Sequence, residues 1–213
     1  MKNSTIIKRL FMTKAIAFAL LLGSCNSEAQ PPKSAIKNGD IIFHTSQSEQ
    51  SKAIQLATES TYSHCGIISI ENGKIYVIEA VQPVKKTPFE EFVERGKQGK
   101  YVVKRLRNAE SVLTDATLNA MRIEGAKMIG KSYDSRFNWG DDEIYCSELV
   151  WKIYERATGI HLGELKQMKD FNFGDPIVQG VLKKRYNGKI PWEEQVISPA
   201  DIFDSEELVT VAD

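Results

Sequence analysis

The sequence contains little cysteine or histidine and has no surplus of charge of either sign. Its 213 residues include three cysteines and three histidines, and 28 basic residues balance 28 acidic ones. The cysteines form no CxxC pair and the histidines no ligand-like spacing, so we expect no metal site and no cofactor. A neutral chain also lacks the cationic surface that nucleic-acid binding requires, which argues against a nucleic-acid partner.

The hydrophobic run near the N-terminus, Ala15–Leu22, is too short to span a membrane, because a span needs about 20 apolar residues. Four basic residues precede it, which is the pattern of a secretory signal peptide. The run ends in Leu22-Gly23-Ser24-Cys25, which resembles the bacterial lipobox, where the cysteine becomes the lipidated first residue of the mature chain. Ordinary cleavage that discards Cys25 is the alternative.

These features divide the chain into three parts. We predict a lipoprotein signal peptide over residues 1–25 with lipidation at Cys25, a polar tether over 26–37, and one domain over 38–213. A lipidated N-terminus would anchor the protein to a membrane of the bacterial cell envelope, exported to the periplasmic side or the cell surface. The composition, 42% hydrophobic and 26% charged, is that of a domain able to bury a core.

Hydrophobic periodicity and turn signals predict strands and helices that are segregated along the chain. Strands are predicted at Ile41–Phe43, Ile67–Ile70, Ile75–Val81 and Tyr101–Leu106, and helices over Ser48–Thr58, over Asp115–Ile129, from Tyr145 or Cys146 to Gly159, and from Ser198-Pro199 onwards. The tail over 170–189 has the composition of a loop. His44, after the first strand, could approach the site, but an exposed loop position is favoured for it. Segregated elements favour an α+β fold over a parallel doubly wound one.

A hairpin is predicted where Asn72-Gly73 separates two β-branched runs, since Asn-Gly favours a two-residue turn. Counting back from that turn places Gly66 opposite Glu79. Alternation then puts His64 and Glu79 on one face as diagonal neighbours, with only a glycine between them. A carboxylate bonded to one ring nitrogen fixes the tautomer of a histidine, so the pair has the form of a base and its orienting acid.

Cys146 is the candidate nucleophile, because it lies where a loop enters a helix. A thiol at a helix N-terminus is close to the positive end of the macrodipole and to free backbone N–H groups, which favour the thiolate. The same groups could form an oxyanion hole. Taken singly, Cys146 could be a small buried side chain, His64 a structural residue and Glu79 a solvated carboxylate. In an exported domain Cys65 and Cys146 could also form a disulfide.

Three segments together resemble the YiiX-like branch of the NlpC/P60 superfamily, whose members are circularly permuted papain-like cysteine hydrolases. They are His64-Cys65-Gly66-Ile67, Val77-Ile78-Glu79-Ala80 and Tyr145–Trp151. Matching segments at Asn38–Phe43, Gly130–Asp134 and Ser198–Asp201 extend the resemblance over nearly all of the mature domain. The resemblance implies a permuted papain-like α+β fold, with an antiparallel sheet or small barrel packed against helices.

The resemblance also implies a role for each site residue. Cys146 is expected to be the nucleophile, His64 its base and Glu79 the polar third member. Three further residues fall at matching positions and are expected to line the site: Tyr133, Asp134 and Tyr145. Cys65 departs from the family, which more often has an aliphatic residue there, and alternation predicts that it faces away from His64 into the core.

The reaction that the resemblance implies is hydrolysis of an amide through a thioester intermediate, with cell-wall peptides or related small amides as substrates. Two alternatives remain open. Related permuted folds include lipid acyl hydrolases and acyltransferases, for which a hydrophobic pocket and activity on acyl esters would be the evidence. A noncatalytic envelope lipoprotein could instead use the fold as a binding module, and its hallmark would be loss of the three site residues.

Overall fold

The computed structural model describes residues 30–211, which form ten β-strands and seven α-helices. The strands are β1 (Ile41–His44), β2 (His64–Glu71), β3 (Lys74–Glu79), β4 (Lys85–Pro88), β5 (Val102–Leu106), β6 (Ser132–Tyr133), β7 (Glu143–Ile144), β8 (Lys166–Gln167), β9 (Gln195–Val196) and β10 (Leu208–Thr210). The helices are α1 (Glu49–Thr58), α2 (Phe89–Glu94), α3 (Ala109–Val112), α4 (Asp115–Met128), α5 (Cys146–Thr158), α6 (Pro176–Tyr186) and α7 (Pro199–Phe203).

Six strands form one antiparallel sheet in the order β10-β5-β1-β2-β3-β4. Its centre includes the β2–β3 hairpin, in which Ile68 pairs with Val77. That register is the one predicted from the Asn72-Gly73 turn, where both residues have positive φ, as a type I′ turn requires. The α+β prediction is confirmed. The sequence predicted an antiparallel sheet or a small barrel. Among the described residues the sheet is open, with β10 and β4 at its two edges, so the sheet is the form observed.

The sheet is buried on both faces, because each face is covered by different helices. Helix α5 covers one face, and the strand residues that point towards it are Ile41, Phe43, Cys65, Ile67 and Ile78. The other face lies under α2 and the segment before β1, and carries Ile42, Ile68, Val77 and Val103. Alternation along β2 therefore directs Cys65 towards α5, the helix that begins at Cys146.

Helix boundaries follow the capping residues in the sequence. The side chains of Ser48, Thr114 and Ser198 each accept a hydrogen bond from a backbone N–H in the first turn of α1, α4 and α7. Gly159 ends α5 in the left-handed conformation, with φ of 71°, which glycine adopts without a steric cost. These boundaries agree with the predicted ones to within a residue.

The loop predicted over 170–189 is wrong, because α6 lies there. Asp175 caps this helix and Pro176 takes its first position, an arrangement that favours helix initiation. Val178 and Leu182, four residues apart, are buried against α1. Polar residues and a glycine interrupt the apolar pattern, so the helix depends on packing more than on local propensity.

The N-terminal predictions are only partly covered by the structure. The predicted signal peptide and Cys25 lie outside the described residues. From residue 30 onwards, however, the predicted tether packs on the domain: Ile36 is 4% exposed, and the Tyr101 hydroxyl donates to the carbonyl of Pro31 at 3.1 Å. The packed structure thus begins before the predicted boundary at residue 38. Among residues 30–211, none of the helices is long and apolar enough to cross a membrane.

Asp40 and Arg105 form an ion pair at the start of β1. Arg105 donates to both carboxylate oxygens of Asp40 at 2.7 Å, and Asp40 is fully buried. Burial raises the pKa of Asp40, and the hydrogen bonds from Arg105 oppose that rise. Replacing Asp40 by alanine is expected to lower the free energy of unfolding by about 3–5 kcal/mol, because it leaves the guanidinium without its counter-charge.

Urea unfolding measures this loss for Asp40→Ala. The control is Asp142→Ala at an exposed position, which is expected to change the free energy by less than about 0.5 kcal/mol. Equal losses in the two variants would show that the ion pair contributes nothing specific.

Candidate active site

Cys146 occupies the first position of α5, directly after Tyr145, whose backbone is extended. The N–H groups in the first turn of a helix have no intrahelical acceptors, and the positive end of the helix dipole lies there. Glu148, in the same turn, accepts a hydrogen bond from the N–H of Tyr145 at 3.4 Å and pairs with Lys152 at 2.7 Å. The fold thus places the thiol where a thiolate is favoured and where N–H donors can face a bound carbonyl oxygen.

His64 and Glu79 form a buried hydrogen-bonded pair across the β2–β3 hairpin. Nε2 of His64 lies 2.6 Å from Oε2 of Glu79, and the two residues are 7% and 0% exposed. A Cβ at Gly66 would lie 2.5 Å from Cγ1 of Val77 and 3.2 Å from Cβ of Glu79, so a larger residue would not fit between them. The diagonal geometry expected from the hairpin is therefore present.

Cys146, His64 and Glu79 form a continuous chain of contacts. His64 lies close enough to the Cys146 side chain to interact with it electrostatically, while its Nε2 faces Glu79. Burial lowers the pKa of His64, but the Cys146 thiolate and the Glu79 carboxylate outweigh burial and raise it to about 9. Hydrogen bonds from Cys65 and His64 hold the pKa of Cys146 well below its usual value, against burial. Both shifts favour the thiolate–imidazolium form of the pair.

Two further residues, which sequence reasoning missed, hold Glu79. Thr87 of β4 donates to Oε1 at 2.6 Å, and Arg95, just after α2, pairs with the same oxygen. Burial raises the pKa of Glu79, but the contacts with His64, Thr87 and Arg95 lower it to about 2. The pairing of β3 with β4 places Thr87 diagonally to Glu79, yet the short polar strand β4 carries no pattern that would have predicted this register.

Cys65 lies near Cys146, a proximity that the sequence left open as a possible disulfide. It faces away from His64 as alternation predicts, and it is fully buried beneath α5. Its side chain nevertheless interacts with that of Cys146 and lowers the Cys146 pKa, because Cys146 begins the helix that covers this face. Neither Cys65 nor Cys146 forms a disulfide.

The family to which this chain belongs follows from its match to a family model. Residues 35–212 match the model of a family described as "Permuted papain-like amidase enzyme, YaeF/YiiX, C92 family". The chain belongs to the C92 family. This membership confirms the permuted papain-like fold and shows that the protein is a cysteine amidase of the papain-like class.

Relatives of this C92 amidase in Escherichia coli span most of its length. The protein named "Uncharacterized protein YiiX" in strain K12 is 48% identical over 176 residues, which are 83% of this chain and 86% of that protein. A crystal structure described as "metalloprotein yiiX from Escherichia coli O157:H7" superposes with a TM-score of 0.79 at 47% identity. That match covers 86% of this chain and 98% of the other.

Two of the three residues expected to line the C92 site lie close to Cys146. Tyr145 precedes it, and its hydroxyl accepts a hydrogen bond from the N–H of Ile197 at 3.2 Å. The Tyr133 hydroxyl accepts a hydrogen bond from Gln50 at 2.8 Å, and burial together with the Cys146 charge raises its pKa. Contact of these two side chains with substrate stays a prediction.

Asp134, the third of these residues, is engaged by its own loop. It is 2% exposed, and its two carboxylate oxygens accept the backbone N–H groups of Arg136 at 2.7 Å and Asn138 at 2.6 Å. These bonds favour a role in shaping the loop after β6 over direct contact with substrate.

His44 packs on His64, so the exposed loop position predicted for it is wrong. It ends β1, pairs with His64 across the strands, and its ring lies edge-to-face at 5.1 Å between centroids. Burial and the nearby charges of His64 and Arg95 lower its pKa to about 3. His44 is therefore a neutral neighbour that restricts the His64 ring without adding a charge. This position could have been predicted from an antiparallel pairing of β1 with β2, which places His44 opposite His64.

Replacing Cys65 by alanine is expected to raise the pKa of Cys146. The change removes a hydrogen bond to the thiolate, and bonds of that kind contribute about 1.5–3 kcal/mol. Ultraviolet absorbance of the thiolate, followed across pH, measures the shift. Cys65→Ser keeps a donor and is the matched control, for which a smaller shift is expected. An unchanged pKa in Cys65→Ala would show that Cys65 contributes packing alone.

Proposed function

We propose that this C92 amidase is an exported, lipid-anchored hydrolase with Cys146 as nucleophile, His64 as base and acid, and Glu79 as orienting carboxylate. The observation that carries the proposal is the placement of Cys146 at a helix N-terminus near the buried, hydrogen-bonded pair of His64 and Glu79. A thiolate paired with an imidazolium is the activated form of a nucleophilic cysteine. The three residues come from α5, β2 and β3, so the site forms only in the folded domain.

The first half of the reaction is acylation of Cys146. The thiolate attacks the carbonyl carbon of the amide, an S–C bond forms, and the carbonyl oxygen becomes an oxyanion that N–H groups in the first turn of α5 can stabilise. The imidazolium of His64 gives its proton to the nitrogen of the leaving group, the C–N bond breaks, and an amine departs. A thioester on Cys146 remains.

The second half is hydrolysis of that thioester. His64, now neutral, takes a proton from water as the water attacks the thioester carbonyl. The C–S bond breaks, a carboxylic acid is released, and the thiolate–imidazolium pair is restored. Glu79 keeps the imidazole in one orientation throughout and stabilises its charged form, as the carboxylate of a catalytic triad does.

The substrates we propose are cell-wall peptides or related small amides. The anchor predicted at Cys25 would hold the site at the cell envelope, where such peptides are found. Acyl esters of lipids are a second candidate, because an apolar cavity opens beside Cys146. A noncatalytic binding module is less well supported, since binding alone does not require a buried and charged Cys–His–Glu chain.

A metal is not assigned a step in this reaction. One related crystal structure is described as a metalloprotein. Within residues 30–211 of this chain, however, no three His, Cys, Asp or Glu side chains are grouped so that they could hold a metal ion. The side chains at the site therefore fit proton transfer by His64 better than coordination.

The proposal is tested by intercepting the thioester. The protein is incubated with cell-wall peptides and with N-acyl aminocoumarin amides in the presence of hydroxylamine, which converts a thioester into an acyl hydroxamate. We expect hydroxamate and released amine from the native chain and neither product from Cys146→Ala. Continued hydrolysis by Cys146→Ala would contradict the assignment of the nucleophile.

A further inference from the structure

The apolar cavity beside Cys146 has one charged side chain in its wall. Cys146 and Arg185 both line this cavity, and Arg185 is the one Lys, Arg, Asp or Glu among the described residues that do so. The volume of about 80 Å³ admits several heavy atoms, since a single water needs only about 10–15 Å³. The cavity can therefore hold a small group of a substrate that is bound at Cys146.

Arg185 has no counter-charge in the part of the chain that the structure describes. Arg95 and Arg105, the other partly buried arginines of residues 30–211, each pair with a buried carboxylate. The carboxylate of Asp134 is near Arg185, but it accepts two backbone N–H groups of its own loop and forms no ion pair. A cation that is partly removed from water without a partner costs free energy. The position therefore favours an anion that a ligand brings.

The guanidinium of Arg185 is held in one orientation by its neighbours. It lies over the ring of Phe137 at 4.8 Å, and one of its amino groups donates to Oε1 of Gln50 at 2.8 Å. Its other N–H groups have no acceptor among the side chains and backbone of residues 30–211. A planar guanidinium with free N–H groups binds a carboxylate through two parallel hydrogen bonds. Arg185 is therefore preorganised for a carboxylate.

Gln50 connects Arg185 to Tyr133, which lies near the nucleophile. Nε2 of Gln50 donates to the Tyr133 hydroxyl at 2.8 Å while its Oε1 accepts from Arg185, so both ends of the amide are engaged. Burial and the charge of Cys146 raise the pKa of Tyr133, and the charge of Arg185 opposes that rise. Both charged groups are therefore near the Tyr133 hydroxyl. A carboxylate bound to Arg185 would thus be close to an amide that is bound at Cys146.

We infer that Arg185 binds a carboxylate of the substrate, and that the preferred substrates are amides with a free carboxylate close to the scissile bond. The inference rests on the proposed function, because Cys146 defines where the amide lies. It narrows the cell-wall peptides and small amides proposed above to those that carry such a carboxylate. Between apolar walls an ion pair is stronger than in water, so the charge can decide between substrates of equal size.

Bromoacetyl reagents test this inference without requiring turnover. N-bromoacetylglycine carries a free carboxylate, and N-bromoacetylglycinamide is its neutral analogue of nearly the same size. The same acid and amide built on glycylglycine place the charge one residue further from the reacting carbon. In every case the Cys146 thiolate displaces bromide, so that an S–C bond forms and the C–Br bond breaks. Mass spectrometry follows the labelling of Cys146 in the full chain and gives the acid-to-amide ratio of the second-order rate constants.

Arg185→Met removes the charge but keeps an apolar stem over Phe137. We expect it to lower the acid-to-amide ratio of at least one pair by roughly tenfold or more, because charge-assisted hydrogen bonds to the carboxylate are lost. His64 is unchanged in this variant, so the difference in the ratio reports Arg185. Lys184→Gln is the matched control, since Lys184 is the neighbouring residue of α6 and its charged side chain is 78% exposed. It is expected to leave the ratio unchanged.

Gln50→Glu decides the question if Arg185→Met does not fold. The introduced carboxylate has the size of the native amide and lies where Arg185 already donates a hydrogen bond. It would pair with the guanidinium and compete with the carboxylate of the reagent. We expect the acid-to-amide ratio to fall by roughly tenfold or more, whereas an unchanged ratio would overturn the inference.

The outcomes separate this inference from the proposed function. If Arg185→Met keeps the native ratio for both pairs while Cys146 reacts rapidly with the neutral reagents, the carboxylate site is overturned and the nucleophile stays in place. A ratio lowered equally by Lys184→Gln would also overturn the site, because any nearby positive charge would then account for the preference. Failure of all four reagents to label Cys146 in the native chain would overturn the nucleophile and the carboxylate site together.

Discussion

Replacing His64 by asparagine is expected to lower kcat for amide hydrolysis by about 10⁴-fold or more, in line with the loss of a triad member. The variant loses both the proton donor for the leaving amine and the cation that stabilises the Cys146 thiolate. KM is expected to change little, since the apolar cavity beside Cys146 is not lined by His64. Steady-state kinetics on an amide substrate measures both constants.

His161→Asn is the matched control for this substitution. His161 follows the C-terminal end of α5, which begins at Cys146, and its ring stacks on Trp151 at 5.0 Å. We expect its kcat to equal that of the native chain. If His64→Asn retained more than about a tenth of native kcat, the role of His64 as base would be wrong.

Replacing Glu79 by alanine is expected to lower kcat by about 10²–10⁴-fold and the free energy of unfolding by about 3–5 kcal/mol. Both effects have one cause: the substitution leaves the buried His64 and the partly buried Arg95 without their shared carboxylate. Glu79→Gln keeps an acceptor of the same size and is expected to lose less of both. Kinetics and urea unfolding on the two variants measure the effects.

The pH dependence of stability follows from the lowered pKa of Glu79. That pKa is about 2 in the folded protein, against an ordinary value of 4.5. A lowered carboxyl pKa contributes stability that is full above the unfolded value and is lost as pH falls through the folded value. The difference in unfolding free energy between native chain and Glu79→Gln should therefore shrink between about pH 4.5 and pH 2. A difference independent of pH would show that the charge of Glu79 is not responsible.

Much of the site could be predicted because it depends on local rules. The Asn72-Gly73 turn sets the hairpin register, and the register sets which side chains share a face. From these two facts the proximity of His64 and Glu79 follows. The position of Cys146 could likewise be predicted, because an apolar stripe that ends at Gly159 indicates where α5 runs.

The contacts of the site that could not be predicted depend on pairings between segments that are distant in sequence. Thr87 and Arg95 reach Glu79 through the β3–β4 pairing and the position of α2, and neither element carries a strong periodic pattern. Cys65 meets Cys146 because α5 packs on that face of the sheet, which no local signal specifies. Helix α6 and the cavity beside it form through packing against α1. Because helix propensity over this segment is weak, the sequence predicted a loop there.

The most direct test of the thiolate–imidazolium pair is the rate of Cys146 alkylation by iodoacetamide as a function of pH, mapped by mass spectrometry in the native chain and in His64→Asn. We expect that native Cys146 reacts rapidly already below neutral pH and that the rate changes again near pH 9, where His64 loses its proton. In His64→Asn the reactive form should appear only at higher pH. A native Cys146 that titrates like a free thiol near about pH 8.5, with no effect of His64→Asn, would contradict the account.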